Sequence, residues 1–296
     1  MKAPSIGFIG FGEAASHIAG GLRSSGIESI TAFDINATSP ALGARIQQRS
    51  KETRTPLVGS PAELAAAEIL ISAVTAGSAL QAAEQMLPFL RPEHLYLDIN
   101  SISPNTKREI DARIRSAGAV FVEAAVMAPV PPYGHRVPML LGGAGARKLT
   151  DSLSPFGMRF DIVSEDVGAA VAVKMCRSIV VKGLEALLFE CVMAAGRFGA
   201  EDRVFASLQE SFPGIDWKKL ADYVVGRVVV HGERRAEEMK EVAETLRSSG
   251  VTPLMADATA QLQGWVSQLN LKARFGPEGP QKFDEVLRLI TYKTNG

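Results

Sequence analysis

The chain has 296 residues, 46% hydrophobic and 22% charged, enough to build one large core or two ordinary ones. Its 32 basic and 32 acidic residues cancel, which argues against recognition of nucleic acid or of an anionic membrane surface through bulk charge. No apolar stretch is long and uninterrupted enough to span a bilayer, and Cys176 and Cys191 lie in apolar helical patterns typical of reduced core residues. We therefore expect a cytoplasmic protein with no membrane partner, no disulfide and no metal site.

Up to about residue 165, short β-rich runs alternate with helical segments. The predicted strands are SIGFIG, SITAFD, EILISAV, HLYLDIN, AVFVEAAV, PMLLGG and RFDIVS. Ser60-Pro61-Ala62-Glu63 is a capping box, Ser103-Pro104 starts another helix, and Gly118 ends it. The alternation predicts a doubly wound parallel sheet with right-handed crossovers over residues 1–166, and the continuously apolar strands predict burial on both faces.

The first predicted strand runs into a glycine-rich turn and then a helix. Gly10-x-Gly12-x-x-Ala15 fits the pattern G-x-G-x-x-G/A, in which the first glycine makes the turn and the second admits a pyrophosphate. Ala15 allows close packing of helix on sheet, and the free N–H groups of the helix N-terminus attract the anion. The residues predicted to bind a dinucleotide here are Gly10, Phe11, Gly12, Glu13, Ala14 and Ala15.

Asp34 stands at the end of the second predicted strand, where a carboxylate binds the ribose hydroxyls of a dinucleotide. A carboxylate there repels a 2′-phosphate, so we predict NAD as the preferred cofactor, with NADP as the alternative. Arg45 and Arg49 would serve NADP if the following loop folded back. The other interpretation of Asp34 is a helix or turn cap.

After Gly168 the strand signals mostly disappear. The run GAAVAVKMCRSIVVKGLEALLFECVMAAGRFG predicts one long helix, apolar on nearly all sides and therefore buried. Four more helices follow, around WKKLADYVV, ERRAEEMKEVAETLRSSG, PLMADATAQLQGWVSQLN and QKFDEVLRLITY. YVVGRVVVHG has strand propensity, and we assign it as helix only because its neighbours are helical. Residues 167–296 are thus predicted to form an all-helical domain joined through the long helix.

In this order the motifs resemble those of the β-hydroxyacid dehydrogenase superfamily, nearest to a less characterised subgroup similar to 6-phosphogluconate dehydrogenase. GFIGFGEAA resembles the cofactor signature of that family. SAVTAGSAL is similar to the loop along the nicotinamide half of the cofactor, which implies cofactor contacts for Ala73, Val74 and Thr75. The resemblance also implies a Rossmann domain, an all-helical C-terminal domain and a homodimer or homotetramer.

Two further segments resemble the parts of the family sequence that contain catalytic residues. LDINSISP is similar to the Asp-x-Ser-Thr segment, with Asn100 and Ser101 in the hydroxyl positions. GAAVAVKMCRS resembles the segment with the catalytic lysine, which implies that Lys174 is the acid/base, with Ser178 in place of asparagine. Burial in an apolar setting penalises an ammonium, so a neutral Lys174 could take a proton from a substrate hydroxyl. The other interpretations are a snorkelling Lys174 and a Ser178 that only packs.

The substrate region departs from the family, because VEAAVMAP puts Met127 where the substrate loop normally has serine. The loop that follows, PVPPYGHRVP, is rich in proline and carries the competing candidates Tyr133, His135 and Arg136. HGERRAEEM is similar to the C-terminal domain of the subgroup, and its His231 and Arg234 are candidates to anchor an acidic substrate. The simpler interpretation is a solvated, salt-bridged helix face. Lys182 is expected to pair with Glu185 at i+3.

These inferences predict an NAD(P)-dependent oxidoreductase that oxidises a hydroxyl of a small hydroxy acid or sugar acid. The sequence leaves open whether decarboxylation follows. Two alternatives remain, an imine reductase or reductive aminase on the same scaffold, and a non-catalytic NAD(H) sensor. A nucleotide-sugar dehydrogenase would need a nucleophilic cysteine, and neither cysteine lies in a suitable setting.

Overall fold

The computed structural model of the chain describes residues 3–293. The chain divides into two compact units, Met1–Lys174 (unit 1) and Met175–Gly296 (unit 2). Unit 1 combines a sheet with helices, and the described residues of unit 2 are all helical or in connecting loops. The predicted fold class, an α/β Rossmann domain followed by an all-α region, is confirmed.

Unit 1 contains a seven-stranded sheet, and every strand falls within a predicted run. The strands are β1 (Ile6–Ile9), β2 (Ile30–Phe33), β3 (Ile69–Ser72), β4 (Leu95–Asp98), β5 (Val120–Val126), β6 (Pro138–Gly142) and β7 (Arg159–Ser164). Their order in the sheet is β2-β1-β3-β4-β5-β6-β7. Strands β1 to β5 are parallel, and their carboxyl ends therefore share one edge of the sheet.

The prediction of a wholly parallel sheet is wrong at one edge. Strand β6 runs antiparallel to β5, and β7 runs parallel to β6. The connection from Val126 to Pro138 holds only the 3-10 turn Gly134–Arg136, whereas a parallel return requires a crossover of a dozen or more residues. The chain therefore doubles back at the proline-rich loop instead of crossing over.

Unit 1 contains six complete α-helices among its described residues, and the predicted signals at Ser60, Ser103 and Gly118 mark the ends of two of them. The six helices are α1 (Glu13–Ser24), α2 (Gly43–Thr53), α3 (Pro61–Leu64), α4 (Ala79–Met86), α5 (Pro104–Ser116) and α6 (Ala146–Leu153). The Ser60 side chain accepts a hydrogen bond from the Glu63 N–H, and Ser103 caps α5 in the same way. Gly118 follows α5 at φ +90°, a left-handed conformation that favours glycine.

Strands β1, β3 and β4 are buried on both faces, as their continuously apolar sequences predict, whereas every second residue of the edge strand β7 is exposed. Phe8, Ile71 and Leu97 point into one buried cluster, and Leu70 and Tyr96 into the other. Because consecutive residues of β3 enter opposite clusters, polar positions are scarce within the strands. Polar functional groups are consequently found mainly where the strands end.

The second half of the chain forms helices of very different lengths, from 4 to 32 residues. They are α7 (Ala169–Phe198), which crosses the division between the units, α8 (Glu201–Ser211), α9 (Trp217–Ser248), α10 (Leu254–Gln268), α11 (Lys272–Phe275) and α12 (Phe283–Lys293). YVVGRVVVHG lies inside α9 and is helical, because its valines at 224, 225, 228 and 229 follow helical spacing and are buried in the core of unit 2. Among the described residues, no helix combines the length and apolar character needed to cross a membrane.

Two expectations for α7 are wrong. The helix is not buried on all sides, because Val180 is 70% exposed, Leu187 56% and Phe198 84%. Cys176 is exposed instead of lying in the core, and Cys191 is half-buried. The helix is apolar on nearly all sides, and one of its apolar faces is therefore exposed to solvent in the single chain.

Candidate functional site

The glycine-rich turn after β1 has the backbone that its sequence predicts. Gly10 has φ +83°, and a Cβ there would lie 2.7 Å from the carbonyl oxygen of Ala73. Gly12 is the N-cap of α1, faces open space, and no side chain caps this helix N-terminus. The N–H groups of the first turn are therefore available to an anion such as a pyrophosphate.

A cavity of about 400 Å³ lies over this turn. It brings together eight of the predicted cofactor residues, namely Gly10, Gly12, Glu13, Ala14, Asp34, Ala73, Val74 and Thr75. The other two, Phe11 and Ala15, lie fully buried in the core beneath the turn. The glycine that faces open space and the uncapped helix fit a dinucleotide, whose phosphates would lie at the N-terminus of α1.

Asp34 fastens the glycine turn to the end of β2. Its Oδ2 accepts a hydrogen bond from the N–H of Phe11 at 2.7 Å, and its Oδ1 accepts one from the N–H of Asn36 at 2.8 Å. Asp34 therefore caps a turn, as one of its two interpretations predicted. Each oxygen keeps a second lone pair, so the carboxylate can still accept a ribose hydroxyl.

Asn100 is buried and holds the loop that follows β3. Its Oδ1 accepts a hydrogen bond from the Val74 N–H at 2.7 Å, and its Nδ2 donates to the Ser72 hydroxyl at 2.9 Å. The Asn100 N–H donates to Asp98 Oδ1 at 2.8 Å. The side chain thus fixes the backbone of a predicted cofactor-binding loop, while Ser101 beside it is half-buried.

A buried ion pair supports Asn100 from below, and the sequence reasoning missed it. The Lys107 Nζ donates to both the carbonyl oxygen and the Oδ1 of Asp98 at 2.8 Å, and both side chains are fully buried. Asp98 therefore connects α5 to the backbone of Asn100. The signal was available, since a buried lysine needs a partner and Lys107 falls on the apolar face of α5.

Glu123 is a second missed residue, although a glutamate inside the apolar run VFVEAAV was a visible signal. It is fully buried in β5, and its Oε1 accepts hydrogen bonds from the N–H groups of Gly168 and Ala170 at 2.8 and 2.9 Å. Burial raises the pKa of Glu123, while nearby Lys107 lowers it. Glu123 thereby holds the first turn of α7, and the half-buried Lys174 lies on the next turn.

The proline-rich loop after β5 packs back on α1. His135 is buried, and its Nε2 lies 3.0 Å from the Ser25 hydroxyl. Burial, reinforced by Arg136, lowers the pKa of His135. His135 is therefore a packing residue and not a substrate anchor, whereas Tyr133 and Arg136 are exposed and Met127 is half-buried.

In unit 2, charged side chains of α7 and α9 form a half-buried network. Lys182 pairs with Glu238 of α9 at 2.8 Å, so the expected pairing with Glu185 is wrong. Glu185 instead pairs with the buried Arg235 and, at 3.4 Å, with Arg227. The hydroxyl of the buried Ser178 accepts a hydrogen bond from Lys182 at 3.4 Å.

His231 and Arg234 belong to the same stretch of α9. Arg234 is exposed and pairs with Glu238 at 2.6 Å, whereas His231 is half-buried. Burial, together with the charges of Arg234 and Arg227, lowers the pKa of His231 to about 4. His231 is therefore neutral near pH 7, and the interpretation of this stretch as a solvated face fails for Arg235, which is buried.

Comparison with known proteins shows which family the chain belongs to. Residues 5–131 match the NAD binding domain of 6-phosphogluconate dehydrogenase, and residues 195–266 match a domain of unknown function, DUF1932. A conserved hypothetical protein from Sinorhizobium meliloti 1021 is 36% identical, with 97% of this chain and 96% of that chain covered and a TM-score of 0.80. The chain belongs to the 6-phosphogluconate dehydrogenase-like family.

Solved structures extend this family assignment to the hydroxyacid dehydrogenase fold. A conserved protein of unknown function, described as structurally similar to 3-hydroxyacid dehydrogenases, is 32% identical over 90% of this chain and 98% of its own, with a TM-score of 0.74. The 3-hydroxyisobutyrate dehydrogenase of Mycobacterium tuberculosis shares the fold at 17% identity, with 98% and 99% covered and a TM-score of 0.74. The N-terminal region of the present chain is thus an NAD(P)-binding domain with the fold of the hydroxyacid dehydrogenases.

Proposed function

We propose that the chain is an NAD(P)-dependent oxidoreductase that oxidises a hydroxyl of a small hydroxy acid or sugar acid, with NAD preferred. The observation that carries the proposal is the cavity over Gly10 and Gly12, whose rim also includes Asp34. A bound nicotinamide dinucleotide would supply the hydride acceptor of the reaction. The N-terminus of α1 would hold its phosphates, Asp34 its ribose hydroxyls, and residues 73–75 its nicotinamide half.

Lys174 is the proposed acid/base. As a neutral amine its Nζ takes the proton of the substrate hydroxyl, and as an ammonium it returns that proton in the reverse direction. Proton transfer of this kind contributes about 10²–10⁴-fold to a rate. Ser101 and Ser178 are the proposed hydrogen-bonding partners of substrate or lysine. Asn100, also predicted to be catalytic, acts in this proposal by positioning the Val74 backbone.

The proposed substrate is a small acid, anchored by His231 and Arg234, with Met127 shaping its pocket. The network on α7 and α9 supports an acidic substrate, because it brings the cations Lys182, Arg227, Arg234 and Arg235 together around Glu185 and Glu238. A cluster of cations attracts an anionic group.

A homodimer is proposed as the working assembly, with a homotetramer as the larger alternative. Support comes from α7, where the exposed apolar residues Val173, Val180 and Leu187 follow one another at seven-residue spacing. Such a stripe lies along one side of a helix and is typical of a helix–helix interface. A second copy of the chain would remove it from water.

Neither alternative function has comparable support. The comparisons do not favour an imine reductase or reductive aminase. A non-catalytic NAD(H) sensor predicts cofactor binding without turnover, and the experiment below separates it from an enzyme.

The test is NADH formation at mildly alkaline pH over a panel of three- to six-carbon hydroxy and sugar acids. Wild type is compared with Lys174→Ala, with Lys174→Arg, and with Lys51→Ala, an exposed lysine of α2 that serves as the matched control. We expect a substrate that wild type and Lys51→Ala oxidise and Lys174→Ala does not. Cofactor binding with no turnover on any acid would contradict the proposal and support the sensor.

A further inference from the structure

Polar side chains stand side by side at the carboxyl-end side of three neighbouring strands of unit 1. In the parallel register of the sheet, Ser72 of β3 is opposite Asp98 of β4, and Asp98 is opposite Glu123 of β5. Tyr96 and Phe121, two residues earlier in β4 and β5, enter the same buried cluster, so both carboxyl groups point to that face of the sheet. Because adjacent strands are about 4.8 Å apart, the two buried carboxyl groups are neighbours.

Each of these two carboxyl groups uses one oxygen and leaves the other without a donor. Asp98 Oδ1 accepts hydrogen bonds from the Lys107 Nζ and from the Asn100 N–H. Glu123 Oε1 accepts the two N–H groups at the start of α7. In the described part of the chain, Asp98 Oδ2 and Glu123 Oε2 are buried and have no hydrogen-bond partner. Unsatisfied buried acceptors are costly, and one proton placed between these two oxygens would satisfy both.

The charges around the pair also favour one bound proton. Two ionised carboxylates would face the single cation of the fully buried Lys107, whereas one carboxylate and one protonated carboxyl balance it. Burial raises the pKa of Glu123, the charge of Asp98 adds to that shift, and Lys107 opposes it. Against the same carboxyl group, α7 presents backbone N–H groups and β6 presents Gly142, where a Cβ would collide with Glu123 Oε1.

We propose that Asp98 and Glu123 share one proton at neutral pH, held on Glu123 Oε2 and donated to Asp98 Oδ2. The resulting hydrogen bond joins two segments that the proposed function uses. Asp98 fixes the backbone of Asn100, which holds the loop after β3, and Glu123 holds the first turn of α7. Asp98 and Glu123 are therefore positioning residues for the cofactor loop and for the turn that precedes Lys174. Their effect on turnover rests on the proposed function, whereas the shared proton does not.

The experiment is infrared spectroscopy of the full chain at neutral pH, without cofactor or substrate. The C=O stretch of a protonated carboxyl is separate from the carboxylate bands, so it reports the proton directly. We expect wild type to show such a band and Glu123→Gln to lose it, with the glutamine amide donating to Asp98 in place of the proton. Asp98→Asn should also lose it, although Glu123 is still present, because Glu123 must then ionise to balance Lys107. Glu109→Gln, which removes an exposed carboxyl of α5, is the matched control and should keep the band.

A band that persists in Asp98→Asn would overturn the proposal, because burial alone would then keep Glu123 protonated. A wild-type spectrum identical to that of Glu123→Gln in this region would overturn it as well, since both carboxyl groups would be ionised. Lys107→Gln is a further variant, and thermal unfolding shows whether each variant folds. Without the cation the pair should take up a second proton and the band should grow, and an unchanged band would contradict the charge balance.

The spectra are independent of the proposed function, because they require neither cofactor nor turnover. A shared proton in a chain that oxidises no acid of the panel would refute the proposed function and leave this inference standing. Turnover without a shared proton would do the reverse.

Discussion

Replacing Glu123 tests how the first turn of α7, and with it Lys174, is held in place. Glu123→Ala removes the acceptor of two buried N–H groups, those of Gly168 and Ala170. An unsatisfied buried donor costs about 1–3 kcal/mol, so two cost about 2–6 kcal/mol, less the relief of removing a buried carboxyl. We expect a net loss of about 2–4 kcal/mol, equivalent to about 4–16 °C for a unit of this size.

Glu123→Gln is the matched variant, because its amide oxygen can still accept both hydrogen bonds. The pKa of Glu123 is raised by burial, so its contribution to stability is present below the unfolded pKa of about 4.3 and is lost as pH rises through the folded pKa. Glutamine does not ionise, and therefore its stability relative to wild type should increase as pH rises above about 4.3.

The assay is urea unfolding at several pH values, followed by far-UV circular dichroism. Trp217 and Trp265, the only two tryptophans, both lie in unit 2, so their fluorescence follows that unit separately. The reasoning would be refuted if Glu123→Gln lost stability relative to wild type as pH rose. That result would mean that the ionised carboxylate is the form that the fold stabilises.

Three further changes have defined outcomes. Asn100→Ala leaves the Val74 N–H without its acceptor, so calorimetry should show weaker NAD binding and melting should show a loss of about 1–3 kcal/mol. His231 has a folded pKa of about 4, so stability should fall as pH drops from about 6.5 towards 4, and His231→Gln should flatten that profile in pH-dependent melts. Leu187→Glu places a charge in the exposed stripe of α7 and should shift a dimer to monomer in sedimentation velocity. An unchanged assembly would contradict an interface at this face.

The sequence predicted the fold because its signals are local. Most strands of unit 1 are short apolar runs between breakers, and Ser60, Ser103 and Gly118 mark helix ends by chemistry that acts within one turn. The direction of β6 was not predictable in this way. It depends on whether the chain between Val126 and Pro138 crosses the sheet or turns back, and proline content alone does not specify that path.

Partners that are distant in sequence were the part that could not be predicted. Glu185 follows Lys182 at a spacing suited to an ion pair, yet the lysine pairs with Glu238, more than fifty residues away on α9. Tertiary packing overrode a local preference worth only a few tenths of a kcal/mol. Glu123 and Lys107 were detectable as charges at apolar positions, but their partners were not.

The polar residues around the glycine turn have one feature in common that bears on how the site works. Asp34, Asn100 and Glu123 each accept hydrogen bonds from backbone N–H groups of a neighbouring segment, namely the glycine turn, the loop after β3 and the start of α7. Their first task is therefore to fix backbone that would contact a dinucleotide or carry Lys174. Substituting Asp34 or Asn100 should chiefly change dinucleotide affinity, whereas substituting Lys174 should change turnover at saturating cofactor. Asp34 and Asn100 should act on Kd because their oxygens already hold backbone N–H groups of the cofactor site. Lys174 should act on kcat because it is the proposed acid/base.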